Sequence, residues 1–311
     1  MIERNQIAGA VAPARARVLV AFALVYVVWG STYLAIRYAV ATLPPFLMAG
    51  SRFLLAGSAL YTWARLRGAA PPSGANWRAT AIIGGLLLLG GNGSVVWAEQ
   101  RVPSGLAALL VATVPLWMVV MEAIRRRTRP GLPVVAGVLL GLAGLAILVG
   151  PDQLAGSRRP DPLGAAVLGL ASLSWAVGSL YSRHAPLPAA PLLGTAMEML
   201  CGGALLVVAG LATDEAGQLA VAHVAPSSLW ALGYLIVFGS LVGFTAYTWL
   251  LRVSTPARVS TYAYVNPVVA VLLGWAIGGE ALGARTLLAA AVIVAGVVLI
   301  TMHKVAVEPA D

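Results

Sequence analysis

Cysteine is almost missing from this chain. Cys201 stands alone, so no internal disulfide and no multi-cysteine metal site can form. Histidine is nearly as scarce, and His184, His223 and His303 are too scattered to make a ligand cluster. Charge is thin as well. Only 10% of the 311 residues are Asp, Glu, Lys or Arg while 60% are hydrophobic, a balance that points to lipid as the solvent. Acidic residues number 11 against 20 basic ones, and a net charge of +9 raises the question of nucleic acid. The basic residues lie almost entirely between apolar runs, where they act as topology signals, so no nucleic-acid partner is expected. No Gly-x-x-x-x-Gly-Lys-Ser/Thr loop occurs, which removes ATP as a direct energy source. No His-Glu-x-x-His helix occurs either, and the three histidines fall at span ends or in loops, so an intramembrane protease lacks its residues. The reading is a chain that is not an enzyme and needs neither metal nor cofactor.

What the chain has in quantity is long hydrophobic runs. Crossing roughly 30 Å of hydrocarbon takes about 20 residues at 1.5 Å each. Segments of that size lie near 18–38, 45–65, 78–98, 103–123, 132–150, 162–183, 188–211, 228–250, 255–276 and 283–302. The run after Arg4, Arg15 and Arg17 is too long for a signal-peptide core, so it is expected to stay as the first span. With the N-terminus inside, Arg4, Arg15, Arg17, Arg65, Arg67, Arg78, Arg125, Arg126, Arg127, Arg129, Arg183, Arg252, Arg258 and Lys304 fall on the cytoplasmic side. Only Arg37, Arg101, Arg158, Arg159 and Arg285 fall outside. Fourteen against five, with Arg52 left within a span, puts the tails 1–17 and 303–311 in the cytoplasm of a multi-pass inner-membrane protein.

The chain also repeats itself. Trp29, Leu34, Arg37 and Pro45 recur at an offset of 146 as Trp175, Leu180, Arg183 and Pro191. After six inserted residues Gly91, Trp97, Pro115, Gly131, Ala143 and Gly144 recur at 152 as Gly243, Trp249, Pro267, Gly283, Ala295 and Gly296. Each copy, 18–150 and 162–302, holds five spans, and an odd number makes the copies face opposite ways. The expected fold is an all-α integral membrane protein, ten transmembrane helices in two inverted five-helix repeats around a central cavity.

Polar side chains within spans are costly and mark a cavity, a helix contact or each other. Arg52, in the second span, costs roughly 2.5–3.5 kcal/mol near a helix centre, and its repeat counterpart is Glu198 in the seventh. Each is either a substrate-facing or gating charge, or a group satisfied by helix carbonyls or by snorkelling. On the first span Trp29, Thr32, Tyr33, Ile36 and Arg37 share one face, and Trp175, Gly178, Ser179, Ser182 and Arg183 repeat it on the sixth. An aromatic beside hydroxyls suits a pocket for an amphipathic solute. Further candidates are Asn92, Ser94 and Trp97 in the third span and Ser240 and Tyr247 in the eighth. In the ninth, Ser260, Tyr264 and Pro267 share a face while Tyr262 and Asn266 share the adjacent one. Asn92 and Asn266 either bond substrate or join helices. Pro115 and Pro267 are repeat-related mid-helix prolines, either paired bends or static kinks. Glu122 and Glu280 read as interfacial, and Glu99 is ambiguous.

Several stretches carry a family likeness: Trp29-Gly-Ser-Thr-Tyr33, Pro44-Pro-Phe-Leu-Met-Ala-Gly-Ser-Arg-Phe53, Gly90-Gly-Asn-Gly-Ser94 and Ala112-Thr-Val-Pro115, with Ser260-Thr-Tyr-Ala-Tyr-Val-Asn-Pro267 and Gly278-Gly-Glu280 in the second half. Over about 18–302 the chain resembles the EamA family of the drug/metabolite transporter superfamily. The resemblance implies that helices one to four and six to nine of each such protein enclose the cavity and that the fifth and tenth are peripheral. It implies export of amino acids, including aromatic ones, or of other metabolites. Cationic toxicants such as quaternary ammonium compounds are the alternative cargo, and a channel or sensor the alternative class. One departure is visible: Thr128 stands where the fourth span of a relative often ends in Glu. The expected partners are a small-molecule substrate and the bilayer, with the protein a monomer or homodimer.

Overall fold

A backbone immersed in hydrocarbon has no water to bond, so each segment must satisfy its own N–H and C=O groups, and helices are the open-chain solution. The computed structural model describes residues 15–98, 100–102, 104–150, 161–219, 223–278 and 283–302, and no strand occurs among them. The first half contains α1 (Arg15–Ala39), α2 (Pro45–Leu66), α3 (Gly74–Ala98), α4 (Ser104–Val111), α5 (Val114–Arg126) and α6 (Leu132–Val149). The second contains α7 (Pro162–Ser182), α8 (Pro191–Ala212), the short α9 (Glu215–Gln218), α10 (Pro226–Val253), the short α11 (Pro256–Val259), α12 (Tyr262–Gly278) and α13 (Ala284–Met302).

Seven of these, α1, α3, α6, α7, α8, α10 and α13, are long and apolar enough to cross a membrane. The remaining expected spans fall short of that test for visible reasons. Helix α2 has 22 residues but carries Arg52 at mid-length. The expected fourth span is split into α4 and α5 just before Pro115, whose ring cannot accept a helical neighbour four residues back. Pro267, by contrast, lies inside α12, and the ninth segment breaks earlier, at Ser260–Thr261.

The halves pack mostly against each other. The two most extensive helix contacts join α2 to α8 and α6 to α13, and α1 lies along α10 and α12 while α7 lies along α3, α4 and α5. The two largest seams are closed by glycines that let backbones touch, which in lipid supplies the packing that water would otherwise drive. A Cβ on Gly137 would stand 2.6 Å from the Gly296 carbonyl, and one on Gly296 would stand 2.7 Å from the Gly137 carbonyl. In the other seam a Cβ on Gly203 would meet Leu54 N at 3.0 Å and Gly50 O at 3.1 Å. Buried Glu215 of α9 adds a cross-half tie: its carboxylate accepts from the backbone N–H of Phe46 (3.1 Å) and Leu47 (2.8 Å), orphan donors at the start of α2.

Gly296→Ala should push α13 off α6 and destabilise the protein by about 1–3 kcal/mol. Gly169→Ala, where a Cβ meets nothing within 4 Å, should be neutral or slightly stabilising. Thermal melts of both variants in detergent check the contrast, and equal midpoints would remove the seam from the account.

Candidate functional site

The site grows from two repeat-related irregularities. Within α3 the turns Gly85–Gly93, and within α10 the turns Leu235–Phe244, are π-helical. The wider π turn shifts backbone groups out of the usual ladder and is frequent at functional sites. Both segments meet the other half. Trp29 Nε1 donates to the Gly239 carbonyl at 3.1 Å, and Ser174 Oγ donates to the Leu86 carbonyl at 2.8 Å. The indoles sit on glycines: a Cβ on Gly243 would collide with Trp29, and one on Gly91 would stand 2.6 Å from Trp175. The two rings then meet edge to face, centroids 5.8 Å apart.

Beneath this pair Tyr247 closes the floor. Its hydroxyl takes the Trp175 Nε1 hydrogen at 2.7 Å and pairs with Ser179 Oγ at 2.6 Å, and its ring lies 5.0 Å from Trp29 and 5.5 Å from Tyr262. Above the pair is a cavity of about 120 Å³. Trp29, Thr32, Arg52, Asn92, Trp175, Tyr262 and Asn266 line it, as does Phe244, the repeat counterpart of Asn92, together with residues that sequence reasoning did not single out, chiefly Phe53 and Ser172. Ser172 had a signal, because it lies one turn from Trp175 on the same face. It binds Thr113 Oγ1 at 2.8 Å and accepts from Trp117 Nε1 at 3.2 Å, tying α7 to the break between α4 and α5.

Arg52 is the exposed nerve of this cavity. It is 6% accessible, its guanidinium lies 4.3 Å from the Phe53 ring centroid, and its Nε has no hydrogen-bond partner. No described carboxylate pairs with it. Asn266 is part partner and part lining. With its amide oriented by its neighbours, its NH₂ donates to the Tyr262 carbonyl (3.1 Å) and the Tyr26 carbonyl (3.2 Å).

Other expected site residues stand elsewhere. Glu198 is 1% exposed, does not line the cavity, and has Oε2 without a partner; the charge it feels is that of Arg252 on α10. Tyr264 is buried on Gly141 with its hydroxyl 3.3 Å from the Val138 carbonyl, so it packs α12 on α6. Trp97 lies under the Arg101 guanidinium, 4.5 Å from its ring centroid, away from the lining. Ser240 is fully buried with an unpartnered hydroxyl. Glu122 holds Arg125 at 2.8 Å and Arg126 at 2.5 Å at a helix end. Glu99, Glu280 and His303 lie outside the described residues, as does the side chain of Tyr33.

The family model described as the EamA-like transporter family matches residues 16–150 and again 162–302. The chain belongs to the EamA-like transporter family. It is a membrane transporter of that type. The uncharacterized inner membrane transporter YedA of Escherichia coli (strain K12) is 44% identical over 284 residues, covering 91% of this chain and 90% of YedA. Protein PecM of Dickeya dadantii is 27% identical over 89% of this chain and 92% of its own length. A solved crystal structure, 23% identical, superposes with a TM-score of 0.75 over 93% of this chain and 98% of that one, which shows a shared fold.

In this EamA transporter the cavity is closed toward one end. Its lining residues lie between the tryptophan pair and the end that carries Arg37 and Arg101. From the tryptophans to the arginine-rich end the space is filled by a buried apolar plug that includes Val25, Met118, Tyr247, Leu250, Leu251 and Val259. Arg183, at the end of α7, clamps that plug. Its Nη1 donates to the Leu251 carbonyl and, at 2.6 Å, to the Ser254 carbonyl, orphan acceptors at the C-terminus of α10. Arg37, its repeat counterpart, is exposed and bonds to no described residue.

Removing the clamp should loosen the plug. On a Cys201→Ser background carrying Val259→Cys as a reporter within the plug, Arg183→Ala should speed alkylation by a small maleimide several-fold. Equal rates with and without Arg183 would show that the apolar plug alone holds this end shut.

Proposed function

We propose that this protein is a secondary transporter that exports small carboxylate-bearing metabolites, amino acids first among them, across the inner membrane by alternating access. The observation that carries the reading is Arg52: a buried guanidinium on a cavity wall, stacked on Phe53 and without a carboxylate partner among the described residues. Burying an unpaired charge is costly, and a ligand carboxylate is the natural complement, since the planar guanidinium presents paired donors to it. Opposite charge on the same ligand has somewhere to go. The Asn266 oxygen accepts from an ammonium, and the faces of Trp29, Trp175 and Tyr262 attract one. A quaternary ammonium ion lacks the carboxylate and would sit beside an uncompensated arginine, which makes cationic toxicants the second reading.

The arginine excess supports both termini in the cytoplasm, and two family matches of similar length support two inverted halves, 18–150 and 162–302. In that orientation the cavity faces outward and the Arg183 clamp is the cytoplasmic gate. The repeat register then supplies the other state. Arg37 corresponds to Arg183 at offset 146, and Val102 to Ser254 at 152, so exchange of the two halves' conformations brings Arg37 onto the carbonyls that follow α3. One clamp closes as the other opens.

The test is a proteoliposome counterflow panel of aromatic and aliphatic amino acids, phenylalanine amide and methyl viologen, with and without a proton gradient. Free amino acids should exchange saturably while the amide does not compete. Arg52→Gln should lose roughly 1.5–3 kcal/mol of ligand interaction, about ten- to a hundredfold in transport efficiency, with an unchanged melting curve. Transport of methyl viologen alone would transfer the assignment to cations, and transport of nothing in the panel would end the amino-acid reading.

A further inference from the structure

A second concavity lies apart from the substrate cavity, between the first turns of α1, the start of α8 and the last turns of α10, with a volume of about 570 Å³. Its walls are apolar, built by Val20 and Leu24 of α1, Leu192 of α8 and Leu241 of α10. Its mouth carries Arg17 and Arg252. From Arg252 up to Leu241 the groove follows α10 for about 16 Å at 1.5 Å per residue, half the hydrocarbon thickness. The tryptophan pair, Tyr247 and the apolar plug separate it from the substrate cavity.

The chemistry at the mouth is incomplete without an anion. Arg252 is half-buried and makes no hydrogen bond or ion pair among the described residues; it feels Glu198 only at a distance. Gly194 makes room for it, since a Cβ there would stand 3.2 Å from Arg252 Nη2. Among the described residues, the five donors of this half-buried guanidinium have no acceptor. Arg17 lies across the groove, exposed and without a partner among the described residues. Below them, Thr245 contributes an unpartnered buried hydroxyl to the wall.

We propose that this groove holds one anionic phospholipid, its phosphate between Arg17 and Arg252 and an acyl chain along Val20, Leu24 and Leu241. A phosphate oxygen pair matches guanidinium geometry, and the apolar depth fits a chain rather than a soluble anion. On the orientation proposed above, the mouth opens at the cytoplasmic leaflet, where anionic headgroups attract arginines near the surface; the lipid assignment rests on that orientation only for its leaflet. The groove lies between α1 and α10, the helices that the Trp29–Gly239 bond also joins, and Arg183 binds the Leu251 and Ser254 carbonyls on either side of Arg252. The bound lipid therefore stabilises the cytoplasmic side in its closed form.

Native mass spectrometry of the full-length protein in detergent tests the groove without measuring transport. Phosphatidylglycerol should be retained at least several-fold better than phosphatidylcholine of the same chain length, and inorganic phosphate should not displace it. The double variant Arg17→Gln and Arg252→Gln should abolish the preference. Arg17→Gln alone, at an exposed helix start, should weaken it and serves as the reading where the double variant does not fold. Arg125→Gln with Arg127→Gln, arginines at the same end that do not line the groove, should leave it intact. Equal retention of the two lipids, displacement by inorganic phosphate, or the same loss in that last variant would overturn the assignment. A positive result here stands even where the amino-acid panel fails, and the reverse holds as well.

Discussion

Two indole rings, each seated on a glycine of the opposite half, set the geometry at the centre of this protein. Trp29 needs Gly243 and Trp175 needs Gly91, because any side chain at either glycine would occupy the ring's position. The π turns that contain or flank those glycines carry the carbonyls that Trp29 and Ser174 bond. The edge-to-face contact between the indoles fixes where the two halves meet, and from that level the floor, the plug and the cavity are all measured. A centre made from aromatic faces and backbone carbonyls carries no fixed charge, so it can be remade in a second arrangement without separating an ion pair in a medium of low dielectric.

Where the halves differ, the differences are electrical. Arg52 and Glu198 are repeat counterparts, both buried and both holding an unpartnered atom, yet they serve different surroundings. Arg52 fronts the cavity, stacked on Phe53, while Glu198 lies outside the lining and feels Arg252. Two charges of opposite sign left apart in a poor solvent each demand a complement. Arg52 has a cavity in front of it, and Glu198 does not.

Much of the plan was legible because it rests on periodicity. The duplication, the apolar runs and the face shared by Trp29 and Thr32 follow from spacing alone, and both of those side chains line the cavity. The ninth span marks the limit. Spacing puts Tyr264 on one face and Tyr262 with Asn266 on another, but only tertiary packing decides that the second faces the cavity and the first faces Gly141. The π turns are invisible for a related reason: Gly-rich apolar sequence suits close packing and a widened turn equally. Glu215 was out of reach because its partners, the backbone N–H groups of Phe46 and Leu47, belong to a helix more than a hundred and sixty residues away. Trp97, taken with the cavity by its repeat position, is drawn instead to Arg101 at the membrane edge.

The two arginine positions at offset 146 bring these threads together. Arg183 satisfies carbonyls that the end of α10 leaves bare, so the closed end is held by bonds the helix needs in any case. Such a clamp costs little to open, because water can take over the same carbonyls once the end is wet. The apolar plug behind it behaves in the opposite way, since Val25, Met118 and Leu250 lose their packing when the end opens. A gate made of both has a hydrophobic part that sets which state is stable and a polar part that sets how easily the state is left. On the inverted arrangement proposed above, the repeat would supply the same two parts at the other end, and alternating access would then need only that the two ends do not close with equal strength.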